Sequence, residues 1–193
     1  MGAGPDDARS DAGRPAGRAL GVVVILGLPG AGKTTLARAL AERCCARLVS
    51  RDAIRDAMFR PCSLTDEEKA AAFAALLGAV ATNCALGRLS IVEGMPFSHD
   101  GEYEAVADAA AAHRRAALPI LLRIDPAVAA RRIAAQRAAG EPGPVDRDAA
   151  LPHRVHRRFR IPPPATVELD ACLESGALVD AAAEAIAAER RGR

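Results

Sequence analysis

Residues 22–35 read Val-Val-Val-Ile-Leu-Gly-Leu-Pro-Gly-Ala-Gly-Lys-Thr-Thr. An apolar run flows into G-x-x-x-x-G-K-T, with Gly27, Gly32, Lys33 and Thr34 at the fixed positions. Gly27, Gly30 and Gly32 let the backbone curl tightly and turn its N–H groups inward on an anion. A helix starting near Lys33 adds its positive end. In such a loop the lysine reaches the β- and γ-phosphates of a nucleotide, and the Thr34 hydroxyl is a ligand for Mg²⁺. The expected nucleotide-binding set is therefore Gly27, Gly30, Ala31, Gly32, Lys33, Thr34 and Thr35. The chain contains only two lysines, Lys33 and Lys69. A sequence that otherwise uses arginine keeps a compact ammonium at the one place that suits a phosphate chain.

Further chemistry-bearing residues fall at other expected strand ends. Ser50-Arg51-Asp52-Ala53-Ile54-Arg55 places a carboxylate and a guanidinium three residues apart, on one helical face. Asp52 can take a proton from an attacking hydroxyl, and Arg55 can hold an anionic group of the acceptor. Ile91-Val92-Glu93-Gly94 ends a strand with an acid, near where Mg²⁺ or its water would sit. Arg131, Arg132 and Arg137 precede a Gly/Pro-rich stretch at 140–145. Guanidinium groups on such a hinged segment can close over phosphates and neutralise the transferring group. A basic segment, 153–160, is either a binding surface for a phosphorylated or polynucleotide acceptor or a solvated lid helix.

These residues need elements to position them. Periodicity predicts strands at 20–26, 47–50, 89–93, 119–125 and 165–169. Helices are predicted at 33–45, 54–59, from Thr65 to near Gly87, 102–116, 126–140, 147–160 and 177–190. Thr65 and Glu68 fit a capping box, and Pro126 opens its helix at the first turn. Strict alternation of this kind gives a parallel sheet with helices on both faces and ligands at the carboxyl ends of the strands. Residues 1–19 lack periodicity and are expected as a disordered lead. Residues 20–193 form one domain, with a lid at about 130–160.

Composition narrows the function. With 193 residues the chain can bury a single core, and a net charge of +2 is too mild to argue for nucleic acid. Aromatic residues are 3% with no Trp, which disfavours binding single strands by base stacking. The five cysteines follow neither a metal nor a disulfide spacing and read as free thiols in a reducing cytosol. No apolar run is long enough to span a membrane, and the expected setting is cytoplasmic.

The order of phosphate loop, Asp-x-x-Arg after the second strand, acid after the third and Arg-rich lid resembles the small P-loop kinases. It is most similar to their polynucleotide 5′-kinase, zeta-toxin and antibiotic or sugar kinase branch. The resemblance covers about residues 20–170. It implies a three-layer α/β fold, a sheet of about five parallel strands and the use of ATP with Mg²⁺. It also implies Lys33 and Thr34 as phosphate and metal ligands, Asp52 as general base, Arg55 and Glu93 on the acceptor side, and Arg132 and Arg137 as lid arginines. The expected reaction is transfer of the γ-phosphoryl group to a hydroxyl of a small molecule. A 5′-hydroxyl polynucleotide kinase is the alternative, supported by the 153–160 segment. A regulatory P-loop NTPase lacking an acceptor is the third reading. It is weakened by the absence of an Asn-Lys-x-Asp guanine signature and of a paired Asp-Glu on strand three.

Overall fold

A computed structural model describes residues 17–96, 101–140, 148–159 and 162–192. The predicted lead 1–19 falls almost wholly outside them, as do most of the 140–145 stretch and Arg160. Strands β1 (Ala19–Gly27), β2 (Arg47–Ser50), β3 (Ser90–Glu93), β4 (Arg115–Arg123) and β5 (Val167–Asp170) form one sheet in the order β2-β3-β1-β4-β5, and every pairing is parallel. Helices α1 (Lys33–Arg43), α2 (Arg51–Met58), α3 (Asp66–Ala85), α4 (Glu102–Ala111), α5 (Pro126–Ala138), α6 (Leu151–Arg158) and α7 (Ser175–Arg191) connect and cover it. This is the expected three-layer α/β fold with five parallel strands.

The pleat of β1 explains why its sequence is continuously apolar. Val23 and Ile25 point into a layer with Leu36 and Leu40 of α1 and Leu178, Ala182 and Ile186 of α7. Val22, Val24 and Leu26 point the other way, onto Leu76 and Val80 of α3 and Val106 and Ala110 of α4. A central strand covered on both faces has no polar side. Its carboxyl end delivers Gly27, so the phosphate loop emerges at the middle of the sheet.

Several boundaries differ from expectation. The predicted helix 102–116 stops at Ala111, and β4 starts at Arg115 rather than 119. The alanines of 109–112 have high helix propensity, but Arg114 turns left-handed at φ 56°. Arg115, Ala116 and Ala117 then pair with Ala19, Leu20 and Val22, so tertiary pairing overrides propensity. Pro119 thus lies inside a strand. It is tolerated because β5 joins only from Ile120 onward, leaving one side of β4 open at the proline. β5 begins at Val167 because Ala165 is in a left-handed turn at φ 60°. α2 begins at Arg51, three residues earlier than predicted, because the Ser50 side chain caps it by accepting from the Ala53 N–H at 3.3 Å. α6 is confined to Leu151–Arg158. At α3 the Thr65 hydroxyl accepts from the Glu68 N–H as a cap should, while the Glu68 carboxylate reaches the Ser63 N–H at 2.9 Å.

Candidate phosphate-transfer site

The loop after β1 is built on three glycines with positive φ: Gly27 at 140°, Gly30 at 84° and Gly32 at 90°. Two of them are also tight for space. A Cβ on Gly27 would lie 2.8 Å from the Leu122 carbonyl oxygen, and one on Gly30 would lie 2.7 Å from the Ala129 carbonyl oxygen. The loop is therefore wedged between the end of β4 and helix α5. Ala31 is buried behind it, while Gly32 and Thr35 are exposed at its rim. Side chains cap α2, α3, α5 and α7, but none caps α1, whose cap residue is Gly32. The first N–H groups of α1 thus have no side-chain acceptor, which is the arrangement that receives an anion. Lys33 curls back over the loop, its Nζ donating to the Gly27 and Leu28 carbonyls at 2.9 Å each.

Thr34 faces the neighbouring strand. Its hydroxyl donates to Oε2 of Glu93 at 2.7 Å, across 59 residues of sequence. Glu93 is buried, 2% exposed, at the carboxyl end of β3. Beside β3, the carboxyl end of β2 hands over to α2, which carries Arg51, Asp52 and Arg55. Gly94 sets the spacing between the two strand ends. It has φ 94°, and a Cβ there would fall 2.8 Å from the backbone nitrogens of both Arg51 and Asp52. Sequence reasoning gave Gly94 no role; a glycine directly after a strand-terminal acid is the signal that would have found it.

Asp52 sits between two guanidinium groups. Arg55 Nη1 lies 3.2 Å and Arg51 Nη2 3.4 Å from the same oxygen, Oδ1. Among the described residues, Oδ2 accepts no hydrogen bond. Burial pushes the Asp52 carboxyl above its ordinary value. Arg51 and Arg55 pull against that, and the nearby Glu93 charge adds to the rise. Arg55 is not the solvated side chain its sequence position allows: it is 4% exposed. Burial alone would lower its pKa, but Asp52, the Cys62 thiol and Asp56 more than offset this. The Nε atoms of Arg51 and Arg55 are buried and have no hydrogen-bond partner among the described residues. Leaving a buried donor unsatisfied costs about 1–3 kcal/mol.

The remaining predicted residues lie along α5. Arg132 Nη2 donates to the Ala171 carbonyl at 2.9 Å, joining α5 to the loop after β5. Ile133 of the same helix packs against Gly30. Arg137 is one turn further on, in the last turn of α5, and exposed. In α6, His153, Arg154, His156, Arg157 and Arg158 are all exposed, with Arg154 paired to Asp148 at 3.2 Å. All five cysteines are free thiols. Among the described residues no helix is long and apolar enough to cross a membrane, and no cluster of three or more His, Cys, Asp or Glu side chains could hold a metal.

Comparison with known proteins bears on the fold. A gluconokinase from Sinorhizobium meliloti 1021 superposes with a TM-score of 0.67 at 20% identity, over 90% of this chain and 95% of that one. A sugar kinase from Janibacter sp. HTCC2649 gives 0.67 at 17% identity, over 90% and 98%. The APS kinase of Mycobacterium tuberculosis, in complex with AMPPNP and APS, gives 0.62 at 15% identity, over 86% and 96%. These likenesses establish the fold as that of the small P-loop kinases. Among curated proteins none matches the chain in sequence. A family model described as an AAA domain matches residues 22–162, from the core of β1 through the phosphate loop, the Asp52 helix and α5 to the end of α6. With most of its length matched, and with the phosphate loop within the match, this chain belongs to that AAA-domain family of P-loop proteins.

Proposed function

We propose that this chain is an ATP-dependent kinase that moves the γ-phosphoryl group of ATP onto a hydroxyl of a small molecule. The contiguity of Lys33, Thr34, Glu93 and Asp52 at three adjacent strand ends carries the reading, with Thr34 and Glu93 in direct contact at 2.7 Å. The phosphate loop holds the triphosphate by its N–H groups and Lys33. The Thr34 hydroxyl, backed by Glu93, fits Mg²⁺, an ion that takes few protein ligands and keeps phosphate oxygens and waters for the rest. When bound, that ion neutralises charge on the phosphates. Asp52 Oδ2 accepts the proton of the attacking hydroxyl, while its Oδ1 is held by Arg51 and Arg55. Arg132 and Arg137 serve as the lid arginines of this reading, their positive charge stabilising the transferring group. The names of the structural neighbours, gluconokinase and sugar kinase, support a small hydroxyl-bearing acceptor. The free thiols support a cytoplasmic setting.

The exposed basic surface of α6 favours one second reading, a kinase of 5′-hydroxyl polynucleotides. One experiment separates the two: γ-labelled ATP with a panel of sugars, polyols, sugar acids, nucleosides and a 5′-hydroxyl oligonucleotide, run on the native chain and on Asp52→Asn. Label on a small acceptor, with the rate lowered roughly 10²–10⁴-fold in the variant, supports the proposal. Label on the oligonucleotide alone selects the second reading. Steady ATP hydrolysis with no labelled acceptor, unchanged in Asp52→Asn, refutes both.

A further inference from the structure

Arg55 is the only buried arginine among the described residues, although α2 has just eight residues. A helix that short cannot bury a guanidinium group by itself. Residues 59–65 turn the chain from α2 into α3, and the two helices pack together. Within that turn the Cys62 sulfur lies beside the Arg55 guanidinium. Burial works against the Arg55 charge, and Asp52, Cys62 and Asp56 together outweigh it. The turn is held from outside. Leu64 is left-handed at φ 59°, a conformation that a bulky side chain keeps only where its surroundings fix it. The group that fixes it is Glu68. Both of its carboxylate oxygens accept from the Ser63 N–H, at 2.9 and 3.2 Å, and Oε2 also accepts from the Cys62 thiol at 3.6 Å. Burial alone would raise the Glu68 carboxyl; the Ser63 N–H, the Cys62 thiol and the N–H groups of Leu64 and Thr65 hold it below its ordinary value. Glu68, Cys62, Arg55 and Asp52 thus form one line of contacts. It runs from α3 to the Asp52 Oδ1 that Arg55 Nη1 meets at 3.2 Å.

We propose that Glu68 is a positioning residue for phosphoryl transfer: it stakes down the turn between α2 and α3, the turn keeps Arg55 in place through Cys62, and Arg55 keeps the Asp52 carboxylate aimed. This deepens the kinase reading and rests on it for the role of Asp52; the hold of Glu68 on Arg55 does not depend on it. Glu68 touches no reacting atom. A glutamate that only closes a capping box reaches back to the N–H of the cap residue, here Thr65. Glu68 reaches further, to Ser63 and Cys62, and those bonds serve the turn rather than the helix end. Arg51 supplies the contrast. It meets the same Oδ1 at 3.4 Å, but from the first residue of α2, at the opposite end from the turn.

The test has two arms. The first follows hydrogen exchange of the arginine Nε–H groups by NMR on the full ¹⁵N-labelled chain. The Nε atoms of Arg51 and Arg55 are both buried, so both signals report local opening, and each is assigned by its loss in Arg51→Lys or Arg55→Lys. In Glu68→Ala the Arg55 Nε–H should exchange roughly 10-fold faster, the effect of one lost hydrogen bond, while Arg51 exchanges as in the native chain. Cys62→Ala leaves the Ser63 bond intact and should act the same way to a smaller extent; it decides the matter if Glu68→Ala does not fold. Glu68→Gln keeps a carbonyl oxygen for Ser63 and should lie between Glu68→Ala and the native chain. In the second arm, kcat toward whichever acceptor takes label should fall roughly 3–10-fold in Glu68→Ala, with the KM for ATP unchanged. Arg55 exchange that is unchanged in the folded variants overturns the inference by severing the link. Arg51 and Arg55 accelerated alike overturn it too, and leave Glu68 a stabilising cap, as does a loss of activity carried by the KM for ATP. If no acceptor is phosphorylated, the kinase reading falls, and the exchange arm still decides whether Glu68 holds Arg55.

Discussion

Gly94→Ala is the most revealing single change, because it alters no group that does chemistry. Gly94 has φ 94°, a conformation that costs an alanine about 1–2 kcal/mol. The new Cβ would also stand 2.8 Å from the backbone nitrogens of Arg51 and Asp52. Backbone cannot rotate away as a side chain tip can, so α2 must move by several tenths of an ångström or more. Overpacking of that kind costs typically 1–3 kcal/mol. The two contributions together reach about 2–5 kcal/mol, a large part of the 5–15 kcal/mol of a typical domain. Gly101→Ala supplies the control: φ is 82° there and nothing lies within 4 Å of the added methyl. It should carry the backbone cost alone. The two variants should therefore differ by about 1–3 kcal/mol in urea unfolding, or roughly 2–12 °C in melting temperature. Activity should separate them further. A 1 Å shift of the base can cost about 10²-fold in rate, so the folded Gly94→Ala protein should lose phosphoryl transfer while Gly101→Ala keeps it. If both variants melt together and turn over alike, Gly94 does not set the position of α2, and the site geometry argued from it is wrong.

Other expectations follow from the same contacts. The Asp52 carboxyl is raised by burial, so its active, ionised form is lost earlier as pH falls than for an ordinary carboxylate. The acidic limb of kcat/KM should lie above that of an ordinary aspartate and vanish, with most of the rate, in Asp52→Asn. Glu93→Gln keeps the shape but removes the charge behind Thr34; the Mg²⁺ concentration giving half-maximal activity should rise, and an unchanged value would detach Glu93 from the metal side. Arg132→Ala breaks the bond to Ala171 and should lower both melting temperature and activity, whereas Arg137→Ala, exposed, should lower kcat without touching stability; a pure KM effect would make Arg137 a ground-state clamp. Replacing Arg154, Arg157 and Arg158 with Gln should spare transfer to a small acceptor. A polynucleotide acceptor would instead show a steep salt dependence in the native chain, about 0.7 log units per phosphate contacted, that flattens in the triple variant.

Local signals were legible in the sequence and distant ones were not. The phosphate loop is a contiguous string whose glycines announce their own conformations. Asp52 and Arg55 are one helical turn apart, so their pairing follows from the spacing alone. The Thr34–Glu93 bond spans 59 residues and exists because β3 lies beside β1, a neighbour relation that alternation of strands and helices does not specify. The bond from Arg132 to Ala171 likewise depends on where the loop after β5 comes to rest. Arg51 was visible but silent, since nothing in the sequence says that its Nε will be buried without an acceptor. The start of β4 was hidden by alanines that favour helix until β1 offers them a ladder.

Two contacts between elements, Thr34 with Glu93 and Gly94 with α2, also explain how the site can act as a unit. Thr34 on α1 is bonded to Glu93 on β3, and the next residue, Gly94, abuts the first turn of α2, which carries Asp52. A displacement of the phosphate loop is thus passed through two rigid links, one hydrogen bond and one backbone contact, to the carboxylate that would accept the proton. Neither link involves a flexible side chain on the α2 side. The position of Asp52 relative to the phosphate loop is therefore set before any ligand arrives, and preorganisation of that kind supplies most of what phosphoryl transfer asks of a protein.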